Sequence, residues 1–176
     1  MTYVDDMRSR PMLLCLVAAA GCHRSKADPV TPAPETAALC ADLERLTTAA
    51  ATNFADQRTA TPVQRGGDAG FELKQGITGA RRCAILHADP SYPDDMIECD
   101  LGEPATRDQA LAVVATWTER IGGCPVVATW FSKPRSDGSH AWELETKDDH
   151  LLEIQLGLSG DDDSAQPRLQ IRRPEI

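Results

Sequence analysis

The sequence predicts an α+β domain in which two helices pack on a mainly antiparallel sheet. Two stretches place apolar residues at helical spacing, and six shorter stretches have strand-like patterns between turn-rich segments. Four cysteines lie in the same region: Cys40, Cys83, Cys99 and Cys124. The predicted order is helix, strand, strand, helix and four strands, linked by disulfides, in a single domain over residues 36–176.

The first predicted helix covers residues 35–54. Its apolar residues recur at helical spacing and therefore share one face, which must pack against the sheet. These residues are Leu39, Leu43, Leu46, Ala50 and Phe54.

Residues 55–80 carry the weakest pattern in the domain. The segment contains five glycines and Pro62, and it predicts a long connection with one short strand at residues 71–74. Long connections are often functional, so this segment is a candidate contact region. Its glycine-rich run at residues 66–70 follows a helix and opens none, so it does not match a phosphate-binding loop.

The second predicted helix has the clearest signals. Thr106 and Gln109 have the spacing of a capping box, in which each side chain satisfies an unpaired amide of the first turn. Gly122 and Gly123 indicate where the helix ends. The face predicted to be buried consists of Ala110, Val114, Trp117 and Ile121.

Two groups of strands flank this helix. Residues 82–88 and 95–101 predict a hairpin before it. After it, short segments rich in Asp, Ser and Gly separate further strands, which predicts a meander. These strands cover residues 126–132, 140–146, 150–158 and 168–172.

The four cysteines allow three pairings. The predicted hairpin favours a bond between Cys83 and Cys99. Cys40, at the start of the first helix, would then meet Cys124, just past the end of the second. A zinc site is the alternative, but the sequence lacks the CxxC pairs of structural zinc modules. The prediction is two disulfides, with no metal and no other cofactor.

Glu143 and Glu153 are the candidate catalytic pair. Strand alternation places them opposite each other on the outer face of the sheet, with about 5 Å between their Cβ atoms. Paired carboxylates are the residue types that glycosidases use for acid–base catalysis. Arg168 and Arg172 on the neighbouring strand favour the alternative, a solvated lattice of salt bridges.

Two further clusters are weaker candidates. His140 and His150 lie at opposite ends of one predicted hairpin, too far apart to bind a metal ion together. Asp161, Asp162 and Asp163 are a possible calcium site, but they lack the ligand spacing of an EF-hand, and a charged hairpin tip explains them.

The charge balance excludes one class of partner. The chain has 18 basic and 27 acidic residues, a net charge of −9. Nucleic-acid binding requires a basic surface that displaces counterions, so no nucleic-acid partner is expected.

The N-terminal residues have the three-part layout of an export signal. Arg8 and Arg10 precede an apolar run at residues 12–20, which is too short to span a bilayer, and Gly21 then precedes Cys22. The segment resembles the lipobox signal of bacterial lipoproteins. Ala19 departs from the pattern, because the family usually has Leu there. Either Met1 or Met7 fits as the start of this signal.

The resemblance implies cleavage before Cys22, which makes residues 1–21 a signal peptide, and lipid attachment to the Cys22 thiol. Residues 22–35 then form a Pro-rich linker. The implied location is the envelope of a didermic bacterium, and His23 favours the outer membrane. The expected partners are the lipid bilayer, through acylated Cys22, and an envelope protein.

These observations lead to two functional hypotheses. The first is an envelope lipoprotein whose non-catalytic domain binds a protein or an envelope component, through the open sheet face or through residues 55–80. The second is a membrane-tethered periplasmic hydrolase that uses Glu143 and Glu153.

Overall fold

The computed structural model describes residues 34–87, 94–145 and 151–173, and these form an α+β domain. Its order is helix, four strands, helix and four strands. The helices and strands are α1 (Pro34–Ala49), β1 (Arg58–Arg65), β2 (Asp68–Leu73), β3 (Arg82–His87), β4 (Asp95–Asp100), α2 (Arg107–Gly122), β5 (Phe131–Pro134), β6 (His140–Glu145), β7 (Leu151–Ser159) and β8 (Gln166–Arg172). No helix in these ranges has the length and apolarity needed to cross a membrane.

All eight strands belong to one antiparallel sheet, in the order β1-β2-β3-β4-β8-β7-β6-β5. The last four strands form the predicted meander, and β8 joins them to β4. One row of residues in register across the sheet lies in the core with the buried faces of both helices: Ile85, Ile97, Ile171, Ile154 and Trp142.

The opposite side of the sheet is called the outer face below. Its central row, in the same register, is Ala84, Glu98, Gln170, Gln155 and Ala141. Because successive residues of a strand point to opposite sides, this row alternates with the apolar row of the core.

The prediction for residues 55–80 was wrong in that the segment is a β-hairpin, β1–β2, and not a long connection. Gly66 and Gly67 form its two-residue turn and have φ angles of 59° and 102°. Such positive angles match the twist of a hairpin, and glycine adopts them without strain. Pro62 is compatible with β1 because this strand is at the edge of the sheet.

Two other predicted boundaries need correction. The helix predicted to reach Phe54 ends at Ala49, and the chain reverses through left-handed residues at Asn53 and Phe54. The strand predicted for residues 126–132 is instead a 3-10 turn at Pro125–Val127, followed by β5. Proline has a fixed φ and no N–H group, so it suits the first position of such a turn.

The β1–β2 hairpin curls over the outer face. Arg65 in β1 reaches the Asp100 carboxylate and the Glu98 carbonyl oxygen in β4, although β2 and β3 lie between in the sheet order. Gly70 permits the close approach of β2 to its neighbour β3, because a Cβ atom there would lie 2.1 Å from the Ile85 carbonyl oxygen.

Both disulfides have the pairing that the sequence favoured. Cys83 and Cys99 are direct partners in β3 and β4, with 4.1 Å between their Cα atoms. Cys40 in α1 bonds to Cys124 just after α2, with a Cα–Cα distance of 5.2 Å. The capping box of α2 is also present, with the Thr106 N–H donating to Gln109 Oε1.

Asp42 gives α1 a polar attachment to the segment between β2 and β3. Its buried carboxylate accepts hydrogen bonds from the Thr78 backbone N–H at 2.9 Å and from the Thr78 hydroxyl at 2.7 Å. It also accepts one from the side-chain amide of Gln75 at 3.1 Å. Burial alone would raise the pKa of Asp42, but the bonds from Thr78 and Arg45 outweigh it and hold the pKa below its ordinary value.

Candidate functional site

The structure places Glu143 and Glu153 opposite each other, as predicted, and it neutralises both. Glu153 is only 3% exposed, so the expected solvated position is wrong for this residue. Arg172 Nε and Arg135 Nη2 donate to its two carboxylate oxygens at 2.8 Å and 3.0 Å, and these long side chains cover it. Glu143 pairs with Lys133. Their contacts are those of a salt-bridge lattice.

Arg168 does not join that pair. Its guanidinium lies 2.9 Å from Glu98 and 3.8 Å from Asp100, both on β4. Because Arg65 contacts the same two residues, the outer face of β4 is also charge-compensated.

His140 and Asp162, from the other two predicted clusters, contact groups outside those clusters. His140 Nε2 lies 2.9 Å from the Ser132 hydroxyl, and burial lowers the pKa of its imidazole. Asp162 contacts Arg107 at the start of α2, which fixes the turn after β7 to that helix. His150 and Cys22 lie outside the described residues. Within the described ranges, no three His, Cys, Asp or Glu residues are arranged to hold a metal ion.

A histidine–aspartate pair that the sequence analysis did not single out lies at the end of the β3–β4 hairpin. His87 Nδ1 is 2.6 Å from Asp95 Oδ1. The Asp95 side chain is 4% exposed and that of His87 is 47% exposed. An ionised carboxylate only accepts hydrogen bonds, so Nδ1 carries the proton. In the neutral imidazole, Nε2 is then an acceptor.

Neighbouring groups hold this pair in place. Arg58 donates to the second oxygen of Asp95 and to the Asn53 carbonyl oxygen. The Asn53 side-chain oxygen accepts a hydrogen bond from the Asp95 backbone N–H at 2.8 Å. The ring of Phe71 meets the imidazole edge-on at 5.7 Å. The left-handed backbone of Asn53 ends the 3-10 turn at Ala50–Thr52, a position where asparagine is common.

The signal for this pair was present in the sequence. When Cys83 faces Cys99 across a hairpin, counting four residues along each strand places His87 opposite Asp95. The contribution of Arg58 depends on the position of β1, which lies in the segment predicted to be a long connection.

The curled hairpin also borders a partly open cavity, which we call the hairpin cavity. Its volume is about 560 Å³. It lies between β1, the end of β2 and the start of β3, and it has both charged and aliphatic walls. The lining residues are Val63, Gln64, Arg65, Glu72, Leu73, Gly76, Arg82, Cys83 and Ala84. Small-molecule sites have volumes of roughly 300–1,000 Å³, so the hairpin cavity has the size of a ligand site.

No protein-family model matches the chain, and neither the curated proteins nor the solved structures contain a detectable match.

Proposed function

We propose that this protein is a lipid-anchored envelope protein whose domain binds an envelope component in the hairpin cavity. The cavity itself is the observation that carries the proposal. It is concave and of ligand size, and it combines guanidinium and carboxylate groups with aliphatic side chains. It also lies where the two expected contact regions, the outer face and residues 55–80, come together.

The location is proposed from the N-terminal sequence and supported by the disulfides. The lipobox-like segment ends at Cys22, and a cysteine carrying two or three acyl chains anchors firmly to a bilayer, in this proposal the outer membrane. Two disulfides in a small domain favour an oxidising compartment outside the cytoplasm. The bilayer and an envelope component are therefore the proposed partners.

The anchor is tested by intact-mass analysis of protein extracted from membranes. We expect the chain to begin at Cys22 and to carry acyl chains there. Cys22→Ser is expected to release the domain from the membrane fraction. An unmodified chain that is recovered in the soluble fraction contradicts the anchor.

Binding is tested by photocrosslinking in the native envelope. A photoreactive amino acid replaces Gln64, which lines the hairpin cavity, and in a control chain it replaces Thr116 on the exposed side of α2. We expect an adduct of defined mass from position 64 that position 116 does not give. Identical products from both positions, or none from position 64, contradict binding in the cavity.

The His87–Asp95 contact favours a second candidate function, a membrane-tethered hydrolase. In this mechanism His87 Nε2 accepts a proton from water or a hydroxyl group, while Asp95 fixes the tautomer and the ring orientation. The contacts of Glu143 and Glu153 do not favour them as the acid–base pair, because each carboxylate is held by cations.

A chromogenic acetyl ester tests the hydrolase. His87→Gln and Asp95→Asn are each expected to lower the hydrolysis rate by about 100-fold or more, the usual contribution of general acid–base catalysis. His140→Gln is the matched control, since His140 is on β6, away from this pair. Hydrolysis no faster than in buffer, or equal rates in all variants, rules the candidate out.

A further inference from the structure

We infer that the hairpin cavity binds a zwitterion, with the ligand carboxylate on Arg82 and the ligand ammonium on Glu72. This inference rests on the proposed binding function and specifies its ligand class. The class is a free amino acid or short peptide with small aliphatic side chains.

The positions of the two charges follow from the sheet register. Glu72 in β2 is the direct partner of Ala84 in β3, and Arg82 precedes Ala84 by two residues on the same face. Glu72 and Arg82 are therefore diagonal neighbours, with about 7–8 Å between such positions. Both are exposed, and both line the cavity.

These two charges are available to a ligand. Among the described residues, neither Glu72 nor Arg82 has an oppositely charged group within 4.0 Å. The third charged residue of the lining, Arg65, has a side chain only 10% exposed and is neutralised by Asp100 and Glu98. The accessible charges of the cavity are thus one guanidinium and one carboxylate.

This balance selects among ligand classes. A simple anion is attracted by Arg82 but repelled by Glu72. A simple cation is attracted by Glu72 but repelled by Arg82. A molecule that carries both charges satisfies both residues, and the guanidinium can take its carboxylate in a two-point hydrogen bond. Val63, with smaller contributions from the largely buried Leu73 and Ala84, adds aliphatic surface to the lining, which suits small apolar side chains.

The test titrates the mature, lipidated protein in detergent with alanyl-alanine and follows the heat of binding. Two analogues each lack one charge: alanyl-alanine amide lacks the carboxylate, and N-acetyl-alanyl-alanine lacks the ammonium. We expect saturable binding of the dipeptide and at least about tenfold weaker binding of each analogue, because charge-assisted hydrogen bonds are the strong ones.

Single substitutions assign each charge to its residue. Arg82→Gln is expected to weaken dipeptide binding and to remove the preference over the amide, whereas Glu72→Gln removes the preference over the N-acetyl analogue. The matched control is Arg81→Gln, because Arg81 is the adjacent arginine, pairs with Glu103 and does not line the cavity. The Arg81→Gln variant is expected to bind the dipeptide with the same affinity as the unsubstituted protein.

No saturable binding of the dipeptide, or equal affinity for all three compounds, overturns the zwitterion inference. An Arg81→Gln effect as large as that of Arg82→Gln overturns it as well. The crosslinking result at position 64 is independent of these titrations. A specific adduct there without dipeptide binding leaves the binding function standing and refutes only the ligand class.

Discussion

The two halves of the sheet are held to their helices by different interactions. The β5–β8 half is covered by α2, which packs against β7 and β8 with the apolar residues Val114, Trp117 and Ile121. In the β1–β4 half, α1 adds buried polar contacts to its apolar face, with Asp42 bound to Thr78.

This difference coincides with the location of the candidate sites. The hairpin cavity and the His87–Asp95 pair both belong to the β1–β4 half. In the other half, the buried carboxylate of Glu153 is fully engaged by Arg135 and Arg172. Glu143 and Glu153 of the β5–β8 half are thus paired within the fold, while the β1–β4 half presents groups that a ligand can reach.

The largest expected effect is on the β5–β8 half. Ile121→Ala removes a fully buried side chain, so we expect the free energy of unfolding to fall by about 2–5 kcal/mol. Urea denaturation measures this loss, and dipeptide binding by the folded fraction should be unchanged. Thr116→Ala, on the exposed side of α2, is the control. A loss below about 1 kcal/mol would show that α2 does not hold this half by apolar packing.

A smaller effect is expected where β2 approaches β3 closely, at Gly70. Gly70→Ala places a Cβ atom against the Ile85 carbonyl oxygen, and overpacking of this kind costs about 1–3 kcal/mol. Because the hairpin must move away, we also expect dipeptide binding to be lost. Gly122→Ala is the control, since nothing lies within 4 Å of its Cβ position. If Gly70→Ala binds the dipeptide as tightly as the unsubstituted protein, the cavity does not depend on the curled position of the hairpin.

The smallest effect concerns the polar attachment of α1. Thr78→Val removes the hydroxyl bond to Asp42, so we expect a loss of about 1 kcal/mol at pH 7. The pKa of Asp42 is lowered in the folded state, so its contribution is present above the ordinary value of 3.8 and is lost as the pH falls through the folded-state pKa. The difference between the variant and the unsubstituted protein should therefore shrink in acid.

Urea denaturation at pH 7 and near pH 2 measures this dependence. Thr48→Val is the control, because the Thr48 hydroxyl is exposed and bonds only to the Glu44 carbonyl oxygen among the described residues. A difference that stays the same at both pH values would mean that Asp42 is not the group responsible.

The sequence predicted the β5–β8 half better than the β1–β4 half for a physical reason. In β6 and β7, apolar and polar residues alternate because one side of each strand is in the core, and this alternation gave the correct Glu143–Glu153 register. β1 is an edge strand with no fully buried residue, so burial leaves no alternation in its sequence. Its best signal is the Gly66–Gly67 pair, which fits the two-residue turn of a hairpin and does not match a phosphate-binding loop.

The candidate sites divide in the same way. The His87–Asp95 pair follows from the Cys83–Cys99 register and was accessible to sequence reasoning. The hairpin cavity was not, because it depends on the close approach of β2 to β3 at Gly70 and on the long reach of Arg65 to β4. Both are contacts between residues far apart in the sequence, and local patterns carry no information about them.

The Cys40–Cys124 bond has a mechanical consequence for a domain held at its N-terminus. A pull on the chain enters the domain at Pro34 and reaches Cys40 within two turns of α1. There the covalent bond transfers the load to Cys124, at the far end of α2. Peeling of α1 therefore stops at Cys40. For a load between the proposed tether and the chain beyond Cys124, the disulfide bypasses residues 41–123, which include the hairpin cavity.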